Sequence, residues 1–286
     1  MTRSDLFGIM VLSLAMLVTP CAAHAAESYD NCTGFITSVP ATITTQGTWC
    51  LKTDLATAIT SGNAITINTN NVTIDCNDFK LGGLAAGIGT GALGIYSLNR
   101  SNVTVRHCSI RGFYFGVLLQ GAGGSGHAVE DNRFDGNTFI AVNVDGDGSV
   151  IRRNRVFDTG GSTLQIDAYG ISGYFTVDIL DNTVSGVVAR SGGGGGAIGI
   201  YTNGSNSGNV IGNRVRGLFK DGTNFAVGIA NVNDTRVEMR DNNVMGVGEL
   251  GLSCGSVSDT AKDNVVNGFG IALVTCSDVG GNATLP

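Results

Sequence analysis

Apolar residues along this chain recur in short alternating runs, broken by Gly, Asn and Asp, in a fixed order. One run is a Gly-Ile-like frame: Gly94-Ile95, Gly116-Val117, Ala141-Val142, Gly170-Ile171, Gly199-Ile200, Gly228-Ile229, Gly251-Leu252 and Gly270-Ile271. A second centres on Val105, Val129, Ile151, Ile179, Val210, Met239 and Ala261, each three residues before an Asn-type position. The third is Asn-x-(Val/Phe)-x-Gly. Its copies are Asn132-Arg133-Phe134-Asp135-Gly136, Asn182-Thr183-Val184-Ser185-Gly186, Asn213-Arg214-Val215-Arg216-Gly217, Asn242-Asn243-Val244-Met245-Gly246 and Asn264-Val265-Val266-Asn267-Gly268. Asn154-Arg155-Val156 is a degenerate copy, with Asp158 at the Gly position. From Asn132 to Asn264 the successive Asn residues are 22, 28, 31, 29 and 22 apart.

Alternation of period two reads as strand, and the three- and four-residue spacing of a helix is missing. Repeats of this length make solenoids, propellers or arrays. Three short strands per coil, joined by turns rich in Asn and Gly, predict a parallel β-helix. Within the Gly-Ile frame Ile95, Val117, Val142, Ile171, Ile200, Ile229, Leu252 and Ile271 are expected to point in. The recurring Asn fits a left-handed or inward turn, where its amide can stack from coil to coil.

Composition narrows the class. Gly is 44 of 286 residues and Pro only 3, which fits many tight turns between strands. A net charge of −6 and a pI near 4.9 leave no basic footprint for nucleic acid, and no polybasic cluster suggests a membrane surface. The N-terminus has its own pattern: Arg3, an apolar run from Leu6 to Val18, and Ala23-His24-Ala25 as a cleavage site. Residues 1–26 are therefore expected to be a signal peptide. Their apolar run is shorter than the roughly 20 residues of a membrane span, and no later stretch is long enough. The chain divides into this leader, an N-terminal cap region at 27–60 and a β-helix domain at 61–286. Export makes the six remaining cysteines a disulfide set, with 15 possible connectivities. Proximity and the repeat favour Cys32–Cys50, Cys76–Cys108 and Cys254–Cys276. The product would be periplasmic or extracellular.

The opening segments Cys32-Thr33-Gly34-Phe35-Ile36, Gly47-Thr48-Trp49-Cys50-Leu51, Ala64-Ile65-Thr66-Ile67 and Asn71-Val72-Thr73-Ile74-Asp75, with the repeat that follows, resemble exported bacterial members of the pectin-lyase-like superfamily of right-handed parallel β-helix proteins. The resemblance covers roughly residues 30–286. It implies an all-β, single-stranded right-handed solenoid of about nine coils, three short strands each, behind an N-terminal cap. The tighter signatures of the superfamily's enzymes are missing. Asn-Thr-Asp, Asp-Asp and Gly-His-Gly of polygalacturonase-like members and Asp-Pro-His of epimerase-like members do not occur.

Alternation beyond each Gly-Ile frame places Tyr96, Gln120, Asn143, Asp145, Tyr174, Tyr201 and Asn203 on one outward sheet face. The long segments Thr159–Ala168, Arg190–Ala197 and Leu218–Ala226 would wall it. Rings with amides and carboxylates suit a saccharide, whose C–H faces pack on aromatics and whose hydroxyls pair with polar groups. The expected partner is therefore a polysaccharide or cell-surface glycan, held by Tyr96, Gln120, Asn143, Tyr174, Tyr201 and Asn203. The same residues also fit a solvated sheet with good β-propensity. Asp145, Asp147 and Asp167 are the candidate catalytic acids, since glycoside hydrolysis needs two carboxyls. Asn143-Val144-Asp145-Gly146-Asp147-Gly148 matches half of an EF-hand loop. Its twelfth position, Asn154, lacks the required Glu, so Ca²⁺ is a weak alternative to a plain turn and no cofactor is expected. Three functions stay open: a glycan-binding β-helix, a diverged lyase or glycoside hydrolase, and a structural or adhesive surface protein.

Overall fold

The computed structural model describes residues 29–204, 208–233 and 235–285; the expected signal peptide at 1–26 lies outside the described residues. The chain is an all-β parallel solenoid of about nine turns, each turn carrying three strands. Each strand pairs, parallel and in register, with its counterpart one coil away, as in Val129 with Ile151, Phe134 with Val156 and Val142 with Ile171. Three faces result. Face 1 stacks Val103–Arg106, Ala128–Glu130, Ser149–Arg152 and Val177–Leu180. Face 2 stacks Ser109–Arg111, Arg133–Asp135, Arg155–Gly160, Thr183–Val188 and Arg214–Phe219. Face 3 stacks Leu93–Leu98, Phe115–Gln120, Ile140–Asp145, Ala168–Tyr174, Ala197–Asn203 and Ala226–Val232. Residues 34–56 already carry strands of this stack: Gly34–Ile36 and Gly47–Leu51 extend face 1, and Ala41–Ile43 extends face 3.

The core is the column of inward side chains that the alternation predicts. Val105, Val129, Ile151, Ile179, Val210 and Met239 on face 1 are wholly buried, as are Ile95, Val117, Val142, Ile171, Ile200 and Ile229 on face 3. Full burial of each such side chain is worth roughly 1.5–3 kcal/mol, and each touches mainly the coils above and below. The frame fails at Ile271, which is half exposed. A register shift between Met245 and Gly248 changes the count, so Ile271 pairs with outward Leu250 and Leu273 takes the place beside Leu252.

The turn between faces 1 and 2 divides two jobs that the sequence assigned to one residue. Positive φ falls on the residue before the ladder position: His107 before Cys108, and Asp131, Arg153, Asp181, Asp241 and Asp263 each before an Asn. The Asn itself turns inward and bonds to the next. Side-chain amides link Asn132 to Asn154, Asn154 to Asn182 and Asn182 to Asn213, each at 3.0 Å. The ladder continues from Asn213 to Asn242 at 3.1 Å, Asn242 to Asn264 at 3.0 Å and Asn264 to Asn282 at 2.9 Å. Asp158 adopts φ 50° where the neighbouring coils use Gly136 and Gly186, which accounts for the degenerate frame. All three favoured disulfides are present, Cys32–Cys50, Cys76–Cys108 and Cys254–Cys276.

One buried group makes the fold pH-sensitive. His127 is 2% exposed and its Nδ1 accepts the Val103 N–H at 3.3 Å. Burial lowers its pKa from 6.5 to about 4. Between those values the unfolded chain binds the proton and the folded chain does not. Stability is therefore complete above about pH 6.5 and declines as pH falls towards 4, by about 2–3 kcal/mol for this group. Asp145, whose pKa burial raises, contributes a smaller trend of opposite sign. His127→Asn retains an acceptor for the Val103 N–H. Its denaturation midpoint should change less between pH 7 and pH 4 than that of the wild type, and parallel profiles would reject the assignment.

Candidate functional site

The outward side of face 3 forms a strip crossing five coils. Tyr96, Leu118, Asn143, Ser172 and Tyr201 stand in one in-register column. Leu98, Gln120, Asp145, Tyr174 and Asn203 stand in the next. The six expected glycan-binding residues thus share one surface, and five of them hydrogen-bond to one another or to the acid. Gln120 Nε2 donates to Tyr96 Oη at 3.3 Å, Asn143 Nδ2 to Asp145 Oδ1 at 2.9 Å, and Asn203 Nδ2 to Tyr201 Oη at 2.9 Å.

A third column was not expected. Phe115, Ile140, Tyr169, Ile198 and Val227, each just before a Gly-Ile-like frame, also face out. Strict alternation would put them inside. The Gly of the frame turns inward with the Ile that follows it. A Cβ on Gly170 would lie 2.4 Å from Val184 Cγ1, and one on Gly199 2.3 Å from Val215 Cγ1. Two consecutive inward positions therefore push the preceding residue to the outer surface. Ile198, Val227 and Ala230 cluster there with Tyr169, Tyr201 and Leu250, separate from the main core.

The aromatic members of this surface run on continuously. Tyr114 stacks on Phe139 at 4.9 Å between centroids, Phe139 meets Phe115 at 5.3 Å and Tyr169 at 5.7 Å, and Tyr201 lies 5.5 Å from Tyr169 and 5.9 Å from Tyr174. Of these rings Phe115, Phe139, Tyr169 and Tyr174, together with Gln120, Asn143 and Asp145, line a cleft of about 310 Å³, and Tyr201 continues the strip beyond it. The three long loops expected to wall this face bond to one another, and none of them contributes to the cleft lining. Arg190 N–H donates to Ile166 O at 2.9 Å, Asp221 N–H to Gly195 O at 3.0 Å and Gly194 N–H to Asp221 Oδ2 at 2.7 Å.

The environment sets protonation. Burial raises the Asp145 pKa above the usual carboxylate range, against the opposing Gly121 N–H and Asn143 amide. Burial likewise raises Tyr174, and pushes Tyr169 up to about 12 with help from Asp167, Tyr201 and Tyr174. The phenols are neutral donors at physiological pH, and Asp145 holds a proton more readily than a solvated carboxyl does.

The three candidate acids do not share this cleft. Asp145 is its one carboxyl among the described residues. Asp147 lines a neighbouring cleft with Phe175 and the Gly123-Gly124 turn, and accepts the Thr176 N–H at 3.3 Å. Asp167 accepts the Gly196 N–H at 2.6 Å and so braces a wall loop. No arginine or lysine lines the cleft. Arg152 and Arg153 are on another face, bonded to Glu130 and Asp131. Among the described residues, no three His, Cys, Asp or Glu side chains converge as metal ligands.

A family model described as the right handed beta helix region matches residues 52–195. Among solved structures, pectate lyase Pel9A is similar at 14% identity over 82% of this chain and 70% of its own, with a TM-score of 0.49. The A-module of Azotobacter vinelandii mannuronan C-5 epimerase AlgE4 is similar at 11% identity over 84% and 81%, TM-score 0.47. The Dettilon tailspike protein is similar at 15% identity over 87% and 56%, TM-score 0.43. No curated protein sequence matches the chain.

Proposed function

The chain belongs to the right-handed β-helix family, and on that scaffold we propose that it is an exported protein that binds a polysaccharide along face 3. The observation that carries this reading is the unbroken strip of rings from Phe115 through Phe139, Tyr169 and Tyr201 to Tyr174, flanked by Gln120, Asn143 and Asn203. Stacked rings supply area for sugar C–H faces, and the amides and neutral phenols supply hydroxyl partners. With no cationic side chain in the cleft lining, the strip suits a neutral glycan better than a uronate chain. Three disulfides support the exported location.

The test is retention of residues 27–286 on a panel of neutral and anionic polysaccharides, with release of sugar ends read in parallel. Tyr201→Ala or Tyr174→Ala is expected to weaken retention about tenfold or more, equivalent to roughly 1.4 kcal/mol. Wild-type protein that passes through every column would return the fold to a structural or adhesive role. The hydrolase reading has less support, because Asp145 is the single carboxyl in the cleft lining and glycoside hydrolysis needs two. On that reading sugar ends are released, and Asp145→Asn abolishes the release while retention persists.

A further inference from the structure

Faces 1 and 2 share one ladder geometry and treat their arginines in opposite ways. On face 1 charges alternate up the stack, Arg106 beside Glu130 beside Arg152. Each cation there has a carboxylate partner: Arg106 with Asp75 at 2.7 Å, Arg152 with Glu130 at 2.7 Å, and Arg153 with Asp131 at 2.7 Å. On face 2 the residue after each ladder Asn points out, and the column reads Arg133, Arg155, Thr183, Arg214, Asn243. Arg216 stands two residues on from Arg214, beside Ser185. Arg133 is satisfied by Asp135 at 3.2 Å and by the Phe157 ring. Arg155, Arg214 and Arg216 are exposed and make no ion pair among the described residues.

These three arginines line one cleft of about 330 Å³, with Phe157, Thr183, Val215, Asn243 and Met245 completing its lining and no carboxylate among them. Unpaired like charges stacked on a sheet are unfavourable, and here they stand on a chain of net charge −6. Their spacing has a direction. Arg155 and Arg214 are two coils apart, about 10 Å along the solenoid, while Arg214 and Arg216 are about 7 Å apart across it. Guanidinium groups bind carboxylate, sulfate and phosphate oxygens in bidentate fashion.

We infer that this cleft is a second binding site, distinct from the aromatic strip, for a linear acidic polysaccharide whose anionic groups repeat along the chain. It does not depend on what face 3 binds. The occupant is fixed by charge complementarity, since the cleft offers cations, one ring and hydroxyl and amide partners. Loss of the acid chain leaves the neutral-glycan strip in place, so the two sites separate experimentally.

The experiment compares wild type with the double variant Arg214→Gln/Arg216→Gln on immobilised polygalacturonate and dextran sulfate, which distinguish carboxylate from sulfate, with neutral dextran as control. Wild type should be retained at about 0.15 M salt on at least one acidic matrix and be released as salt rises. The double variant should lose at least tenfold in retention, and Arg214→Lys/Arg216→Lys should recover part of it. Because the side chains are exposed, the thermal midpoint should be unchanged, which separates lost binding from lost fold. Tyr201→Ala should leave acidic retention intact. Wild-type flow-through at that salt, equal retention of the Gln variant, or tighter binding to duplex DNA or to anionic lipid vesicles than to either acidic glycan would each overturn the assignment.

Discussion

Asn182→Ala is expected to lower stability by about 3–5 kcal/mol. Asn182 is 1% exposed and uses both ends of its amide. Its Oδ1 accepts from Asn154 N–H at 2.9 Å and from Asn154 Nδ2 at 3.0 Å. Its Nδ2 donates to Ile151 O at 2.9 Å and to Asn213 Oδ1 at 3.0 Å. Truncation strips one backbone donor, one backbone carbonyl and two neighbouring amides of partners at a site that water does not reach. Each buried polar group so orphaned costs roughly 1–3 kcal/mol, partly relieved where Asn154 Nδ2 retains Val129 O. The comparison that makes the test specific is Asn282→Ala. Asn282 is the last rung, half-buried, with nothing stacked beyond it among the described residues, and its loss should cost about 1 kcal/mol. Denaturant titration of the two variants measures the difference. Equal losses at both positions would show that the amides are independent turn bonds and not a coupled ladder.

The same residues explain how far the sequence could be read. The Asn frame was visible because stacking requires an identical side chain in every coil, and a repeated requirement leaves a repeated letter. The disulfides were readable for a related reason, since Cys76 and Cys108 occupy successive coils of a solenoid whose period was already known. The face 3 strip was half legible. Tyr96, Gln120, Asn143, Asp145, Tyr174, Tyr201 and Asn203 follow from alternation after the Gly-Ile frame. Phe115 and Tyr169 do not, because alternation breaks at the Gly, whose missing Cβ lets two consecutive positions face in. A sign was present in the sequence: the residue before the first seven frames is Leu93, Phe115, Ile140, Tyr169, Ile198, Val227 or Leu250, always large and apolar or aromatic. The arginine cleft was hidden differently. Arg155, Arg214 and Arg216 lie far apart in a net acidic chain, and only the in-register stacking of face 2 gathers them.

Replacing the Cys76–Cys108 bridge with Cys76→Ala/Cys108→Ala should cost about 3–4 kcal/mol, the value that chain entropy assigns to a cross-link closing a loop of this length. The two sulfurs are buried, and the bridge joins adjacent coils across a sequence separation of 32. Its position gives the bridge a further role. Cys108 stands where later coils place the ladder Asn, and its backbone N–H donates to Asn132 Oδ1 at 2.9 Å as the first rung. Below it the amide ladder has no member, and the covalent link carries the stacking onward to Cys76. If the bridge replaces a rung, the rung should be able to replace part of the bridge. Cys76→Ala/Cys108→Asn supplies an amide beside Asn132 and should recover about 1 kcal/mol relative to the double Ala variant, as one net buried hydrogen bond. The Cys32–Cys50 and Cys254–Cys276 bridges lie at the two ends. Their removal should increase hydrogen exchange in the end coils with little effect on the centre, because a solenoid coil is held mainly by its neighbours. Were Cys76→Ala/Cys108→Ala to loosen only residues near 76, with the global midpoint unmoved, the bridge would be a local clasp and the hand-over from amide ladder to disulfide would be wrong.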